Sequence, residues 1–311
     1  MRFIAAILGL GMAALVVYAQ STPSAHGRML ALCITRHDRI HESLKNEILV
    51  LGELRSGVYR PIADDEPVTL EDSNSSQRVQ LMKRGKEFDV FNRGACIGSM
   101  HLTSISLDDF DCSPLFVGTG SPTVPVDTSR ISHSISGSGE AGDFDYSLTY
   151  RLALSSLPGE PVPTGSRRAT PGRVDSNTAR EFAVRALAGS TKKTERGEVH
   201  LKSVDLCQTA AGGEGAIVFA AVRKIGKEAH SLCGAISEYG NRIDTLLIIR
   251  DVEEGSSWGA GYSFLDALDL DNDGIPELIF SVGYYESTGF EVYKFIRGRY
   301  RKVMETIPWG C

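Results

Sequence analysis

Beyond residue 19 the sequence lacks any apolar run of 18 residues, so no later segment has the length of a membrane-spanning helix. It also lacks a net positive charge. Its 33 lysines and arginines are outnumbered by 39 aspartates and glutamates, which gives a formal net charge of −6 at pH 7. A mildly acidic chain offers no basic surface to nucleic acid or anionic lipid. We therefore expect a mature protein that binds no nucleic acid and is not inserted in a membrane.

Local catalytic motifs are lacking as well. The sequence has no GxSxG elbow, no GxxxxGK[ST] phosphate loop and no GxGxxG that follows a predicted strand. Gly137 and Gly139 lie in a polar stretch that is typical of a turn. An active site assembled from distant residues would leave no such trace, so two classes of protein stay open. One is a non-catalytic exported protein, and the other is a secreted hydrolase with its active site between two domains.

The N-terminus has the pattern of a cleavable secretory signal. Arg2 precedes an apolar run from Phe3 to Val17, and small residues at Val17 and Ala19 stand before Gln20. The run is shorter than the roughly 20 residues that span a bilayer, which disfavours an uncleaved anchor helix. We predict that residues 1–19 are a signal peptide and that the mature protein is secreted or periplasmic.

All the cysteines follow the predicted signal. They are Cys33, Cys96, Cys112, Cys207, Cys233 and Cys311. An even number in an exported protein favours disulfide bonds, and none of the spacings is the CxxC of a zinc or redox site. Proximity in sequence suggests the pairs Cys96–Cys112 and Cys207–Cys233, which leaves Cys33 and Cys311 to pair; buried free thiols are the alternative.

The fold class predicted from the patterns is α+β with mostly β content. Residues 28–156 contain short apolar runs bounded by turn residues, such as Ile48–Leu51 before Gly52, and predict a β-rich N-terminal domain. A single helix in this part is suggested around His37–Leu44. Residues 157–174 are rich in proline and glycine and predict a linker.

Residues 175–311 predict one helix packed on a mainly antiparallel sheet. Thr178 and Glu181 have the spacing of a capping box, and Gly189 is expected to end the helix. The strand-like runs that follow are Val199–Leu206, Ala216–Val222, Thr245–Ile249, Phe264–Leu270, Glu277–Val282 and Glu291–Ile296. One helix followed by a series of hairpin-connected strands describes an α+β domain.

One constellation carries a sharp chemical signal. Asp269, Asp271 and Asp273 alternate along the chain, Gly274 follows them, and Glu277 stands at the ninth position. Calcium takes six to eight oxygen ligands in flexible geometry, which such a loop can supply. The twelfth position, where an EF-hand has its bidentate acid, is Phe280 within a predicted strand, so an EF-hand is disfavoured.

The strand–DxDxDGxxE–strand arrangement in residues 262–296 resembles the calcium loops of FG-GAP and VCBS repeats. The resemblance implies a calcium site whose ligands are Asp269, Asp271, Asp273, the Ile275 carbonyl and Glu277. Those repeats carry aspartate more often than glutamate at the ninth position, and this chain has one loop without a repeating unit of 50–60 residues. The resemblance therefore does not extend to a β-propeller.

The alternative for residues 269–277 is a plain Asp-Gly hairpin turn. Mutual repulsion of four carboxylates favours a bound cation, with a structural role. A second acidic group, Asp108, Asp109 and Asp111, lacks the alternate spacing and the glycine, and we interpret it as a solvated turn. The sequence thus predicts an exported, non-catalytic, calcium-stabilised protein with a binding or envelope role. Its partner in that role would be a protein or a glycan. The alternative is the secreted hydrolase.

Overall fold

The structure is a computed structural model. It describes residues 27–62, 75–92, 94–110, 113–123, 133–139, 142–156, 176–188, 199–208, 215–225, 228–239, 242–254, 261–283, 287–306 and 308–310. The predicted signal peptide, the predicted linker, Cys112, Cys311 and Gly189 lie outside these residues.

Strands form most of the described chain, and every pairing between them is antiparallel. The strands are β1 (Arg28–Asp38), β2 (Ser43–Arg55), β3 (Val58–Pro61), β4 (Glu87–Asn92), β5 (Ala95–Phe110), β6 (Ser113–Pro122), β7 (His133–Gly139), β8 (Gly142–Ser155), β9 (Val199–Gln208), β10 (Gly215–Ile225), β11 (Glu228–Tyr239), β12 (Arg242–Glu254), β13 (Gly261–Leu268), β14 (Glu277–Gly283), β15 (Ser287–Ile296), β16 (Arg299–Glu305) and β17 (Trp309–Gly310). The helices are α1 (Gln77–Arg84) and α2 (Ser176–Ala188). The expectation of a mostly β chain with antiparallel sheets is confirmed.

Neither described helix has the length and apolar character needed to cross a membrane.

Six strands of the first half form a closed ring in the order β1-β2-β6-β5-β4-β8, because β8 also pairs with β1. Alternate side chains along each strand point to opposite faces of the sheet. One face of β1 places Met29, Ala31 and Cys33 in a hydrophobic cluster with side chains of the other ring strands and of α1. The other face places Leu30 and Leu32 in a second cluster. Both faces of the ring are therefore apolar.

The strands β13, β14, β15 and β16 form a sheet that we call the central sheet, because both of its faces are buried. Its residues Ile279 and Val292 share a cluster with Leu30 and Leu32 of the ring. Its Phe280 lies in a different cluster, with residues of the sheet β12-β11-β10-β9. Hydrophobic side chains from both sides of the predicted linker therefore pack together, while the division into two domains stays a prediction.

The helix α2 covers the remaining face of the sheet β12-β11-β10-β9. Ala179 and Ala183 of α2 are fully buried in a cluster with Phe219 of β10. The ring of Phe182 meets Phe219 edge to face, with centroids 5.9 Å apart. The helix predicted after the linker is thus present, but it begins at Ser176, so Thr178 lies inside its first turn and is not its N-cap.

The prediction of a helix around His37–Leu44 is wrong. The strand β1 continues to Asp38 and β2 starts at Ser43, so this segment is a β-hairpin. The Asp38 carboxylate accepts hydrogen bonds from the backbone N–H groups of Ile40 (2.9 Å) and His41 (3.0 Å). Short aspartate side chains favour turns by such local bonds, which compete with helix formation.

Within the described residues, Cys33, Cys96 and Cys233 are free thiols. Burial raises the pKa of the Cys33 thiol to about 12, with a smaller opposing effect from Arg151, and burial also raises the pKa of Cys233. Cys96 is exposed. Each predicted disulfide pair contains one of these thiols, so the structure does not support the predicted pairing.

Candidate metal centre

The acidic segment forms the turn between β13 and β14 of the central sheet. Leu268 pairs with Glu277 across the two strands, so residues 269–276 form the connecting loop. The backbone of Asn272 has φ = 60° and that of Gly274 has φ = 86°. Glycine adopts this left-handed region without a steric penalty, and asparagine is among the residues that tolerate it best. The sequence DNDG therefore bends the chain tightly at the position predicted for a cation loop.

The loop is shaped by its own carboxylates. The two oxygens of Asp269 accept hydrogen bonds from the backbone N–H groups of Asp273 (3.0 Å) and Gly274 (2.9 Å). The Asp273 Oδ1 atom accepts from the N–H of Ile275 (2.9 Å), and Glu277 Oε2 accepts from the N–H of Leu270 (2.8 Å). These bonds satisfy loop donors and hold the acidic side chains on the inner side of the bend.

Three of the predicted ligands converge. One carboxylate oxygen from each of Asp269, Asp271 and Asp273 lies within 4.8 Å of the other two. Oxygens bound to a common calcium ion at 2.3–2.6 Å are at most about 5 Å apart, so this spacing is compatible with a shared ion. The group Asp269–Asp271–Asp273 could therefore hold a metal ion.

Glu277 is fully buried at the base of the loop, with 0% of its surface exposed. Burial raises the pKa of its carboxyl to about 7; the bond from the Leu270 N–H opposes this shift, and the charge of Asp271 adds to it. Among the described residues, Glu277 Oε1 and Asp271 Oδ1 are buried oxygens that accept no hydrogen bond. Buried polar atoms of this kind are rare in proteins unless they have a further partner.

A residue that the sequence analysis missed lies among these oxygens. The Lys294 Nζ atom, from β15, contacts Asp271 Oδ2 closely, lies 2.8 Å from Asp273 Oδ2 and 3.7 Å from Glu277 Oε1. Burial lowers the pKa of Lys294, but the bonds to Asp271 and Asp273 outweigh that effect and raise the pKa above its usual value. The loop therefore carries its own cation, although four acidic groups still outnumber one ammonium.

Tyr59 of β3, in the first half of the chain, lies next to this loop. Its hydroxyl is buried beside the Glu277 carboxyl and influences the pKa of that group, but it has no hydrogen-bond partner of regular geometry within the described structure. Ile275 contributes the N–H that bonds to Asp273, and its side chain is half-buried. The five predicted ligand residues thus lie on one short loop, with Lys294 and Tyr59 reaching it from other strands.

The second acidic group does not form the solvated turn that was predicted. Asp108 and Asp109 lie in β5 and not in a turn, while Asp111 is outside the described residues. Asp108 joins a set that we call the strand cluster, which consists of Arg36, Lys45, Glu47 and Asp108. Lys45 Nζ lies 2.5 Å from Glu47 Oε1 and 2.6 Å from Asp108 Oδ2, and Arg36 lies 3.6 Å and 3.5 Å from the same two carboxyl groups.

The two acids of the strand cluster differ in their pKa. Glu47 is fully buried, and burial raises its pKa although Lys45 and Arg36 oppose the shift. Burial also acts to raise the pKa of Asp108, but its bonds to Lys45 and Glu47 and the charge of Arg36 outweigh burial and lower it. Two cations and two carboxyl groups leave this cluster balanced.

Comparison with known proteins adds no assignment: no protein-family model matches the chain, and no curated protein and no solved structure is significantly similar to it. The resemblance to FG-GAP and VCBS calcium loops therefore rests on the residues of the loop and its two flanking strands. The function has to be argued from the geometry and charge of that loop.

Proposed function

We propose that the chain is an exported, non-catalytic protein whose C-terminal region, residues 175–311, is stabilised by calcium. The observation that carries the proposal is the convergence of three aspartate oxygens within 4.8 Å of one another. The buried Glu277 oxygen without a hydrogen bond supports it independently. Calcium accepts hard oxygen ligands in irregular arrangements, and this loop offers them in a stretch of nine residues.

The ligands in this proposal are Asp269, Asp271, Asp273, the Ile275 carbonyl and Glu277, as the resemblance to FG-GAP and VCBS loops implies. A bound ion would supply positive charge to a site in which acids exceed the single ammonium of Lys294. It would hold the turn between the buried end of β13 and the mostly buried β14 of the central sheet. The role of the ion is therefore structural.

The remaining parts of the proposal rest on the sequence. Residues 1–19 act as a signal peptide, the mature chain is secreted or periplasmic, and it serves a binding or envelope role with a protein or glycan partner. Mass spectrometry of the exported protein should find Gln20, or its cyclised form, at the N-terminus. Recovery of intact Met1 in the membrane fraction would contradict cleavage.

A secreted hydrolase is not proposed. The pair Glu47 and Asp108 has pKa values displaced in opposite directions, which is a property of many acid–base pairs in enzymes. Both carboxyl groups are, however, bound to Lys45 and Arg36, and Glu47 has no exposed surface. The cations account for the pair as an internal ion-pair network.

Thermal unfolding of the mature protein tests the calcium proposal. The short loop predicts weak affinity, on the order of 10⁻⁴–10⁻³ M. At ten times the dissociation constant, calcium that binds only the folded state adds about 1.4 kcal/mol to the free energy of unfolding. We expect a rise in the melting temperature of roughly 3–5 °C relative to chelator.

The variants Asp271→Asn and Asp273→Asn should lose this response, because each removes a ligand charge. Asp89→Asn is the matched control, since Asp89 lies in β4 and bonds to Ser156 at 3.0 Å, away from the loop. The control should respond to calcium as the wild-type protein does. Identical melting curves for the wild-type protein in calcium and in chelator would show that the loop is only a turn.

A further inference from the structure

Lys294 places its ammonium on the oxygens that a divalent ion would need. It contacts Asp271 Oδ2 and Asp273 Oδ2, and both aspartates belong to the set whose oxygens converge within 4.8 Å. Its distance to Glu277 Oε1, 3.7 Å, brings it near the buried oxygen that accepts no hydrogen bond. The lysine therefore faces three of the four acids of the loop.

An ammonium and a divalent ion exclude each other at such a site. Calcium needs six to eight oxygens in contact, and the ammonium occupies the Oδ2 atoms of Asp271 and Asp273, so an ion that binds beside it can use only the other oxygen of each carboxylate. Two positive charges within a few ångströms also repel each other, and burial strengthens this repulsion. Binding of the ion therefore competes with the contacts of the ammonium to Asp271 and Asp273.

The lysine has room to leave. Its side chain is 21% exposed, and a lysine has a flexible four-carbon stem that can carry the charge into solvent. Its position on β15, which pairs with β14 beside the loop, keeps its backbone fixed while the ammonium moves. Occupancy of the loop by a metal or by the ammonium can therefore alternate without rearrangement of the sheet.

We propose that Lys294 is an internal competitor of the metal ion and that it sets the affinity of the loop. The inference rests on the proposed calcium site and adds the residue that tunes it. The ammonium neutralises part of the acidic charge when no divalent ion is bound, which keeps the hairpin folded. The same contact weakens metal binding, because each binding event has to displace it.

The test is isothermal titration calorimetry of the full mature chain with calcium chloride. We expect Lys294→Met to bind calcium at least tenfold more tightly than the wild-type protein, because the competing charge is gone. Lys294→Arg keeps the charge, and we expect its affinity to stay within about threefold of wild type. This variant also covers the case in which Lys294→Met fails to fold in chelator, as checked by circular dichroism.

Lys302→Met is the matched control on the neighbouring strand. Lys302 also pairs with a buried carboxylate, Glu291, at 2.9 Å and with Glu305 at 2.6 Å, but it does not touch the loop acids. Its removal should leave the calcium dissociation constant unchanged. A gain in affinity for Lys302→Met equal to that of Lys294→Met would overturn the inference, because a general loss of positive charge would then explain both.

The outcomes separate this inference from the proposed function. Equal dissociation constants for wild type and Lys294→Met refute the competition and leave the calcium site intact. Binding by Lys294→Met without binding by the wild-type protein supports the competition and overturns calcium stabilisation of the native chain. Failure of every variant to bind calcium overturns both.

Discussion

The chain holds two groups of acidic side chains that differ in their charge balance. In the strand cluster, Glu47 and Asp108 face Lys45 and Arg36, so each acid has a cation within 4 Å. In the loop of residues 269–277, one lysine, Lys294, faces three of the four acids. The first group has as many cations as acids, whereas the second has a surplus of negative charge.

The difference shows why burial of acids is a poor indicator of a metal site. Glu47 and Glu277 are both fully buried, and burial raises the pKa of both. What distinguishes Glu277 is the backbone around it, since the loop bends at Asn272 and Gly274 and turns several carboxylates toward one point. The strand cluster lies on the extended strands β1, β2 and β5, and there each of its two cations contacts both acids.

The strongest way to separate the two groups is to remove one lysine from each. Lys45→Met leaves Glu47 with Arg36 as its cation, and Lys294→Met leaves the loop without one. Each change should lower the free energy of unfolding in chelator by about 2 kcal/mol, because a buried charged acceptor loses its partner. Calcium should restore the stability of Lys294→Met but not that of Lys45→Met, as measured by urea denaturation with and without the ion.

Rescue of both variants by calcium would mean that the ion acts on the protein surface in general. Rescue of neither would remove the distinction between a balanced cluster and a metal site.

The pH dependence of stability sharpens the description of the strand cluster. Because the folded state raises the pKa of Glu47 above its ordinary value of 4.5, the contribution of Glu47 is complete below that pH and is lost as the pH rises through the folded value. Asp108 behaves in the opposite sense, since its pKa is lowered from 3.8 and its contribution is lost on acidification.

Urea denaturation in chelator between pH 3 and pH 8 measures both effects. Glu47→Gln should reduce the decline in stability above pH 4.5, and Asp108→Asn should reduce the decline below pH 3.8. Profiles for both variants that run parallel to the wild-type profile would contradict the assigned directions of the two pKa shifts.

The smallest effect is expected at the contact between the first half of the chain and the loop. Tyr59→Phe removes a buried hydroxyl that makes no regular hydrogen bond within the described structure. Loss of an unpaired polar group costs little, so the free energy of unfolding in chelator should change by less than about 1 kcal/mol, toward greater stability. If urea denaturation shows that the free energy of unfolding falls by more than about 2 kcal/mol, the Tyr59 hydroxyl bonds to Glu277. Tyr262→Phe on β13 is the matched control.

The loop could be predicted from sequence because its residues are contiguous and their spacing carries the chemistry. Lys294 could not, since it stands 23 residues from Asp271 and comes near it only through the pairing of β14 with β15. The strand cluster escaped prediction for the same reason, because Lys45 and Asp108 are 63 residues apart. Local pattern also failed for the helix expected around His37–Leu44, because the chain turns between Asp38 and Ser43 to pair β1 with β2.

The strands were predicted where apolar runs end at turn residues, as for β9, β10, β13 and β14. The strand β11 was missed because small residues such as Gly234 and Ala235 weaken its apolar signal. The cysteine pairing stays a prediction, because Cys112, Cys311 and the side chain of Cys207 lie outside the described residues. In the described part of the chain, Cys33, Cys96 and Cys233 are free thiols.

The burial of the central sheet also sets the order in which this chain can finish folding. The face of the ring that carries Leu30 and Leu32 of β1 is covered by Ile279, Val292 and Met304 of the central sheet. A ribosome releases the residues of β1 long before those of β14, β15 and β16, so the ring has to wait for its cover until these later strands have been synthesised. Contacts across such long sequence separations form slowly. Until then this apolar face is uncovered, and a chain that stops before β14 would leave it exposed to water.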